Sequence, residues 1–151
     1  MRAVIQRVNK SSVDVDEETI GQIDKGLLVF LGVGHEDEKA DVDYLCDKIV
    51  NLRIFENQDQ KMNLSLRDIE GEILVISQFT LQGDIRKGRR PNFGGAAKPD
   101  LAKPLYLDFI ERCKQYEEIK KVQAGKFGAD MKVDIQNDGP VTILIDSKKE
   151  F

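Results

Sequence analysis

Seven consecutive positions, Leu27-Leu28-Val29-Phe30-Leu31-Gly32-Val33, carry no polar side chain, and Gly34 closes the run. A half-exposed strand alternates apolar with polar and a buried helix needs greater length, so a run this short reads as a strand covered on both faces. It predicts a central strand and a layered domain around it. A second stretch opens at Gly71, is apolar through Ile73-Leu74-Val75-Ile76, and turns polar over Ser77-Gln78-Phe79-Thr80-Leu81. Binding groups often sit at such strand ends in α/β sheets.

The remaining pattern supplies the other layers. Ala3 to Val8 and Ser12 to Asp16 alternate in the period of a half-buried strand, Glu17 to Thr19 reads as a turn, and Ile20 to Ile23 as a partner strand. From Asp37, the apolar residues Val42, Leu45, Cys46, Ile49 and Leu52 recur at helical spacing, predicting about four turns. Glu36, Asp37 and Glu38 at its start suit the helix dipole. Arg53 to Phe55 adds a short strand. Leu105, Phe109 and Cys113 mark a second amphipathic helix, and because Pro104 fits only a first turn, its start is placed between Asp100 and Pro104. Val122 to Phe127, Met131 to Ile135 and Val141 to Ile145 read as closing strands. The expected fold is one α/β domain over residues 1–151, with mixed β-sheet layers and two main helices packed on one side (three-layer α/β/β), and a solvated tail over 147–151.

Composition removes several functions. Two Cys without CxxC spacing leave no disulfide framework or zinc ribbon, and read as reduced core thiols. A single His cannot furnish a His-rich metal site, so neither a metal nor a cofactor is expected. No apolar run approaches the 18 to 20 or so residues of a membrane span, and the charged N-terminus is unlike a signal peptide. A cytoplasmic protein without a membrane partner is expected. The 23 Lys+Arg against 27 Asp+Glu give a net charge of -4, which argues against a whole-surface nucleic-acid binder but permits a local basic patch.

Four constellations remain. Ser77 and Thr80 are nucleophile types without a local base, and on spacing alone they fit backbone hydrogen bonding at a strand end as well as a ligand site. Asn137-Asp138-Gly139-Pro140 has the composition of a hairpin turn. Arg86-Lys87-Gly88-Arg89-Arg90 puts four positive charges into five residues of the long irregular stretch from Gly83 to Pro99, and fits either phosphate binding or a solvated loop. His35 lies at a strand-to-helix junction, where a lone His in a polar loop is more often simply exposed.

Taken together, Ser77-Gln78-Phe79-Thr80-Leu81 and Asn137-Asp138-Gly139-Pro140-Val141-Thr142 resemble the paired signature of the D-aminoacyl-tRNA deacylases. Supporting matches are Ala3 to Val8, Gly26 to Val29, Arg53 to Phe55, Lys61 to Asn63, Arg90 to Phe93 and Gly125 to Met131. The resemblance implies a homodimer that hydrolyses the ester of D-aminoacyl-tRNA, and of glycyl-tRNA, with its active sites at the subunit interface. It implies that Gly139-Pro140 is cis, enters the partner's site and selects chirality. Ser77, Gln78, Phe79 and Thr80 would form the catalytic end, working through backbone groups and the tRNA 2′-OH. Arg86, Lys87, Arg89 and Arg90 would meet tRNA phosphates. Two other readings are a non-catalytic RNA-binding module using the basic loop, and a small-ester hydrolase using Ser77 and His35.

Overall fold

In the computed structural model, which describes all 151 residues, β1 (Arg2–Val15) is a single long strand with neighbours on both edges. β2 (Glu18–Ile23) pairs antiparallel with its second half and β3 (Gly26–Gly32) with its first half. Then come α1 (Lys39–Val50), a small hairpin of β4 (Phe55–Glu56) and β5 (Met62–Leu64), and β6 (Glu72–Ser77). A 3-10 turn over Phe79–Gln82, α2 (Pro99–Lys114), β7 (Lys121–Ala124) and β8 (Lys132–Asp146) complete the chain. β6 lies parallel to both β3 and β7, and β8 runs antiparallel to β1 along its free edge, so the sheet is mixed.

β3 is central, as its unbroken apolar run requires, with β1 on one side and β6 on the other. Its first residue passes so close to β6 that a Cβ on Gly26 would stand 1.8 Å from the Glu72 carbonyl oxygen. One face packs Ile5, Leu27, Val29, Leu31, Ile73 and Val75 against Val42, Leu45 and Ile49 of α1 and Tyr106 and Phe109 of α2. The opposite face buries Val8, Val13, Ile23, Leu28, Leu74 and Ile76 where β2 folds back over β6 and β7. The two helices thus share one side, as expected. The third layer is the same six-stranded sheet turned over on itself, not a separate sheet.

Several boundaries differ from the sequence reading. α1 has twelve residues, about three turns, because Asn51 ends it and leaves Leu52 outside. Among the acidic residues before it, Glu38 caps the helix, its amide donating to Asp41 Oδ2 at 2.8 Å. Asp37 turns away to receive the Met1 amino group (2.5 Å) and the Gly34 amide (2.6 Å). α2 begins earlier than expected, at Pro99, whose fixed φ suits a first helical residue. Pro104 lies within the second turn on the exposed side, where the carbonyl it leaves unpaired, on exposed Asp100, faces water. Cys46 and Cys113 are free and buried between the helices with sulfurs 3.4 Å apart, and hydrogen bonding between them and burial push the Cys113 thiol well up. The tail is exposed but tied down: Ser147 N donates to Met1 O at 2.8 Å and Lys148 Nζ to Asp41 Oδ2 at 2.9 Å. No helix is long and apolar enough to cross a membrane.

The largest correction concerns Asn137 to Pro140. No hairpin forms there, because β8 continues through the segment and pairs with β1 on both sides of it. Asn137 faces Val8 and Thr142 faces Gln6, so Asp138-Gly139-Pro140-Val141 stand opposite Arg7 alone. The excess residues leave the ladder as a bulge. The Asn137 side chain closes its neck, donating through Nδ2 to Arg7 O (3.0 Å) and Val141 O (2.9 Å).

Candidate active site

The polar end of β6 is split between two conformations. Ser77 is the last strand residue, Gln78 donates its amide to Leu31 O at 2.8 Å, and the chain then tightens into the 3-10 turn. The first amides of a helical turn have no acceptor within it. Leu81 N is the first to find one, on Gln78 O, which leaves the amides of Phe79 and Thr80 without an intrahelical partner. The Thr80 hydroxyl is exposed and accepts a hydrogen bond from Gln78 Nε2. A carboxamide cannot take a proton, so this contact does not activate Thr80 as a nucleophile.

Ser77, Gln78 and Phe79 form one lip of a cavity of about 560 Å³. Its walls are mainly apolar: Leu31 and Val33 from the β3 end, Pro99, Ala102 and Tyr106 from α2, and Phe127 and Met131 from the segment after β7. Tyr106 sets the spacing of these walls. Its hydroxyl lies 2.9 Å from Val75 O and 3.3 Å from Gly125 O, bridging β6 to the segment after β7, and burial pushes its pKa up to about 12. The Tyr106 and Phe127 rings lie 5.8 Å apart.

The basic loop stands beside this cavity. Asp84 and Asn92 exchange backbone hydrogen bonds of 2.7 and 2.9 Å, which closes the loop and places Arg86, Lys87, Arg89 and Arg90 on its exposed tip. Phe93 at its base meets Phe79 edge-on, centroids 5.2 Å apart. Arg86 is bound to Asp84 through Nε (2.9 Å) and Nη2 (2.7 Å), and this pairing holds the Asp84 carboxyl down at about 2. Lys87, Arg89 and Arg90 form no ion pair within the chain.

Not all the residues singled out from the sequence come together. His35 lines a separate polar groove of about 720 Å³ with Asp84 and Arg86, away from the cavity that Ser77 lines, so the two make no nucleophile and base pair. The Gly139–Pro140 peptide is cis and lies in the exposed bulge on β8. Gly139 has φ +126°, a region open to glycine and strained for other residues. Buried Arg7 backs the bulge, its Nε 3.0 Å from Asp138 Oδ2 and its Nη1 donating to Ile54 O at 2.7 Å. Ser77 is level with Leu31, whereas Arg7 is level with Leu27 and Ile73. The bulge and the β6 end are therefore three strand spacings and four residues apart, on the order of 20 Å.

The reading of single residues missed Tyr106, Asp130 and Arg7, and took Asn137 only for a turn residue, whereas its side chain closes the neck of the bulge. Phe127, Asp130 and Met131 lie in a stretch whose resemblance was visible, but only the fold shows that it walls the cavity.

The family model described as D-Tyr-tRNA(Tyr) deacylase matches residues 4–146. A D-aminoacyl-tRNA deacylase of Clostridioides difficile (strain 630) is 62% identical over 100% of both chains, and one of Thermosipho africanus (strain TCF52B) is 58% identical, also over 100% of both. The solved structure of a c-Myc DNA unwinding element binding protein superposes with a TM-score of 0.91 at 43% identity, covering 97% of this chain and 98% of that one. A structure described as a probable eukaryotic D-amino acid tRNA deacylase gives 0.80 at 17% identity, over 95% and 97%, and shares the fold.

Proposed function

Because the chain belongs to the D-Tyr-tRNA(Tyr) deacylase family, we propose that it hydrolyses the ester joining a D-amino acid to the terminal adenosine of tRNA, in the compartment where translation takes place. One observation carries the reading from the geometry: an apolar cavity of about 560 Å³ has as its lip the strand end whose amides lack helical partners. Apolar walls with a few polar groups at one edge suit a base with its sugar and ester. Adenine enters between the α2 side and Phe127, and the ester lies against Phe79 and Thr80.

Hydrolysis follows from that placement. A water oxygen bonds to the ester carbonyl carbon, and the developing oxyanion is met by the Phe79 and Thr80 amides. Collapse breaks the bond to the 3′ oxygen, which leaves with a proton as a hydroxyl, freeing the amino acid and intact tRNA. An aminoacyl ester is already activated, so the amides and the neighbouring 2′-OH suffice. Ser77 and Gln78 shape the lip, and Thr80 contributes its amide instead of its hydroxyl.

Chirality is assigned to Gly139 and Pro140. About 20 Å separates them from the β6 end of their own chain, so the site they serve belongs to a second copy. A self-associating face is supported by Phe30, Val4 and Leu144, which lie in register across β3, β1 and β8, with Leu144 58% exposed. Beside them, Gln6 Oε1 is buried without a partner. The carbonyls of the bulge hold the amino group and α hydrogen of the substrate and leave no room for an L side chain. Rejection is then steric, and both D-amino acids and glycine pass. Arg86, Lys87, Arg89 and Arg90 take tRNA phosphates, with Arg86 also tied to Asp84.

Assays on D-tyrosyl-tRNA and on D-tyrosine ethyl ester separate this reading from its rivals. Hydrolysis of the first and not the second is expected. Binding of tRNA without hydrolysis would leave only an RNA-binding module, and cleavage of both esters that is lost in His35→Ala would favour the small-ester hydrolase.

A further inference from the structure

Of the sixteen residues lining the cavity, eleven are hydrophobic and one, Asp130, carries a charge. Hydrolysis as described above leaves it unused. Asp130 enters no ion pair or side-chain hydrogen bond within the chain, and it is exposed, which places it at the mouth of the cavity and not in its apolar depth. A turn holds it there: Ala129 N donates to Lys126 O at 3.2 Å, Gly128 takes φ +77°, and Phe127 and Met131 on either side both line the wall.

A carboxylate only accepts hydrogen bonds, so whatever it meets must donate. An adenosine carrying an amino acid on its 3′ oxygen has three donors to offer. The adenine amino group goes with the base into the apolar depth. The α-amino group lies beyond the ester, on the Thr80 side. The 2′-OH, one carbon from the ester, remains at the mouth, where Asp130 stands among the same lining residues as Ser77 and Gln78.

We propose that the Asp130 carboxylate accepts a hydrogen bond from the 2′-OH of the terminal ribose and orients that hydroxyl toward the scissile ester. A carboxylate that fixes a ribose hydroxyl is a recurring solution in nucleotide sites, and a charged acceptor makes the stronger kind of hydrogen bond. Held in this way, the 2′ oxygen faces the attacking water, and no proton passes to Asp130. The inference rests on the substrate assigned above.

The test is a two-by-two comparison on the full-length protein. Wild type and Asp130→Asn are assayed on D-tyrosyl-tRNA ending in adenosine and on the same 3′ ester of tRNA ending in 2′-deoxyadenosine. Asp130→Asn is expected to lower kcat roughly 10- to 100-fold on the first substrate, the usual range for losing a hydrogen bond to a charged group, and less than about twofold on the second. Asp130→Glu should recover part of the loss on the first. An equal loss on both substrates, or no loss on either, overturns the assignment while leaving the deacylase reading intact. Failure of the wild type to hydrolyse D-tyrosyl-tRNA overturns the deacylase reading instead.

Discussion

The ring of Phe79 meets the ring of Phe93 edge-on, with centroids 5.2 Å apart and planes at 66°. This contact ties the lip of the cavity to the base of the basic loop, so under the proposed function one aromatic pair would set both the group assigned to the ester and the group assigned to the phosphates. Such pairs contribute about 0.5–1.5 kcal/mol beyond area burial. Phe93→Ala should therefore raise KM for D-aminoacyl-tRNA several-fold and leave D-over-L selection unchanged. A double-mutant cycle with Phe79→Ala checks it, and additive effects would remove the pair from the account.

Thr80→Ala should keep the rate within about tenfold of wild type, because the hydroxyl is held by an amide and not by a base. Single-turnover deacylation of D-tyrosyl-tRNA measures this directly. Complete loss with an unchanged melting curve would favour a covalent route through Thr80.

Much of the scaffold was legible in the sequence because the signals are local. The run from Leu27 to Leu31 can only be satisfied between two layers, and the spacing of Val42, Leu45 and Ile49 fixes which face of α1 is buried. The misreadings came where composition constrains backbone shape without fixing chain direction. Asn, Asp, Gly and Pro signal a departure from the ladder, and a bulge in a continuing strand satisfies them as well as a hairpin does; Arg7 and the neck formed by Asn137 decide between the two, and both act across the sheet. Pro104 is tolerated inside α2 because its side of the helix faces water. The lip residues were found from the sequence, while the opposite wall at Tyr106, Phe127 and Asp130 depends on β7 lying beside β6.

Neutralising Lys87, Arg89 and Arg90 to Gln should weaken tRNA binding and flatten its dependence on log salt by up to about three units, near one for each phosphate no longer neutralised. Titrating binding from low to moderate salt checks this. An unchanged slope would place the tRNA elsewhere.

The Asp84 carboxyl, held at about 2 by Arg86, should move toward its ordinary 3.8 in Arg86→Gln. A depressed carboxylate favours the closed loop fully above its ordinary value, and that contribution is lost as pH falls through about 2. Carboxyl carbon NMR titration of both proteins reports the shift, and the same titration in both would mean that the pairing does not persist in solution.

Gly26→Ala should destabilise the protein by about 3 kcal/mol or more, since its Cβ would collide with the backbone of β6 and not with a movable side chain. Denaturant unfolding gives the value, and a change below about 1 kcal/mol would mean that β3 and β6 can part at that end without loss.

The central claim is that the bulge at Gly139 and Pro140 selects by handedness. Side-by-side deacylation of D-tyrosyl-tRNA and L-tyrosyl-tRNA, by wild type and by Gly139→Ala, tests it most directly. The account predicts rapid release of D-tyrosine by the wild type with the L ester spared, and a narrowed ratio in the variant, where a side chain meets φ +126° and Val141. Equal wild-type rates on the two esters would contradict it.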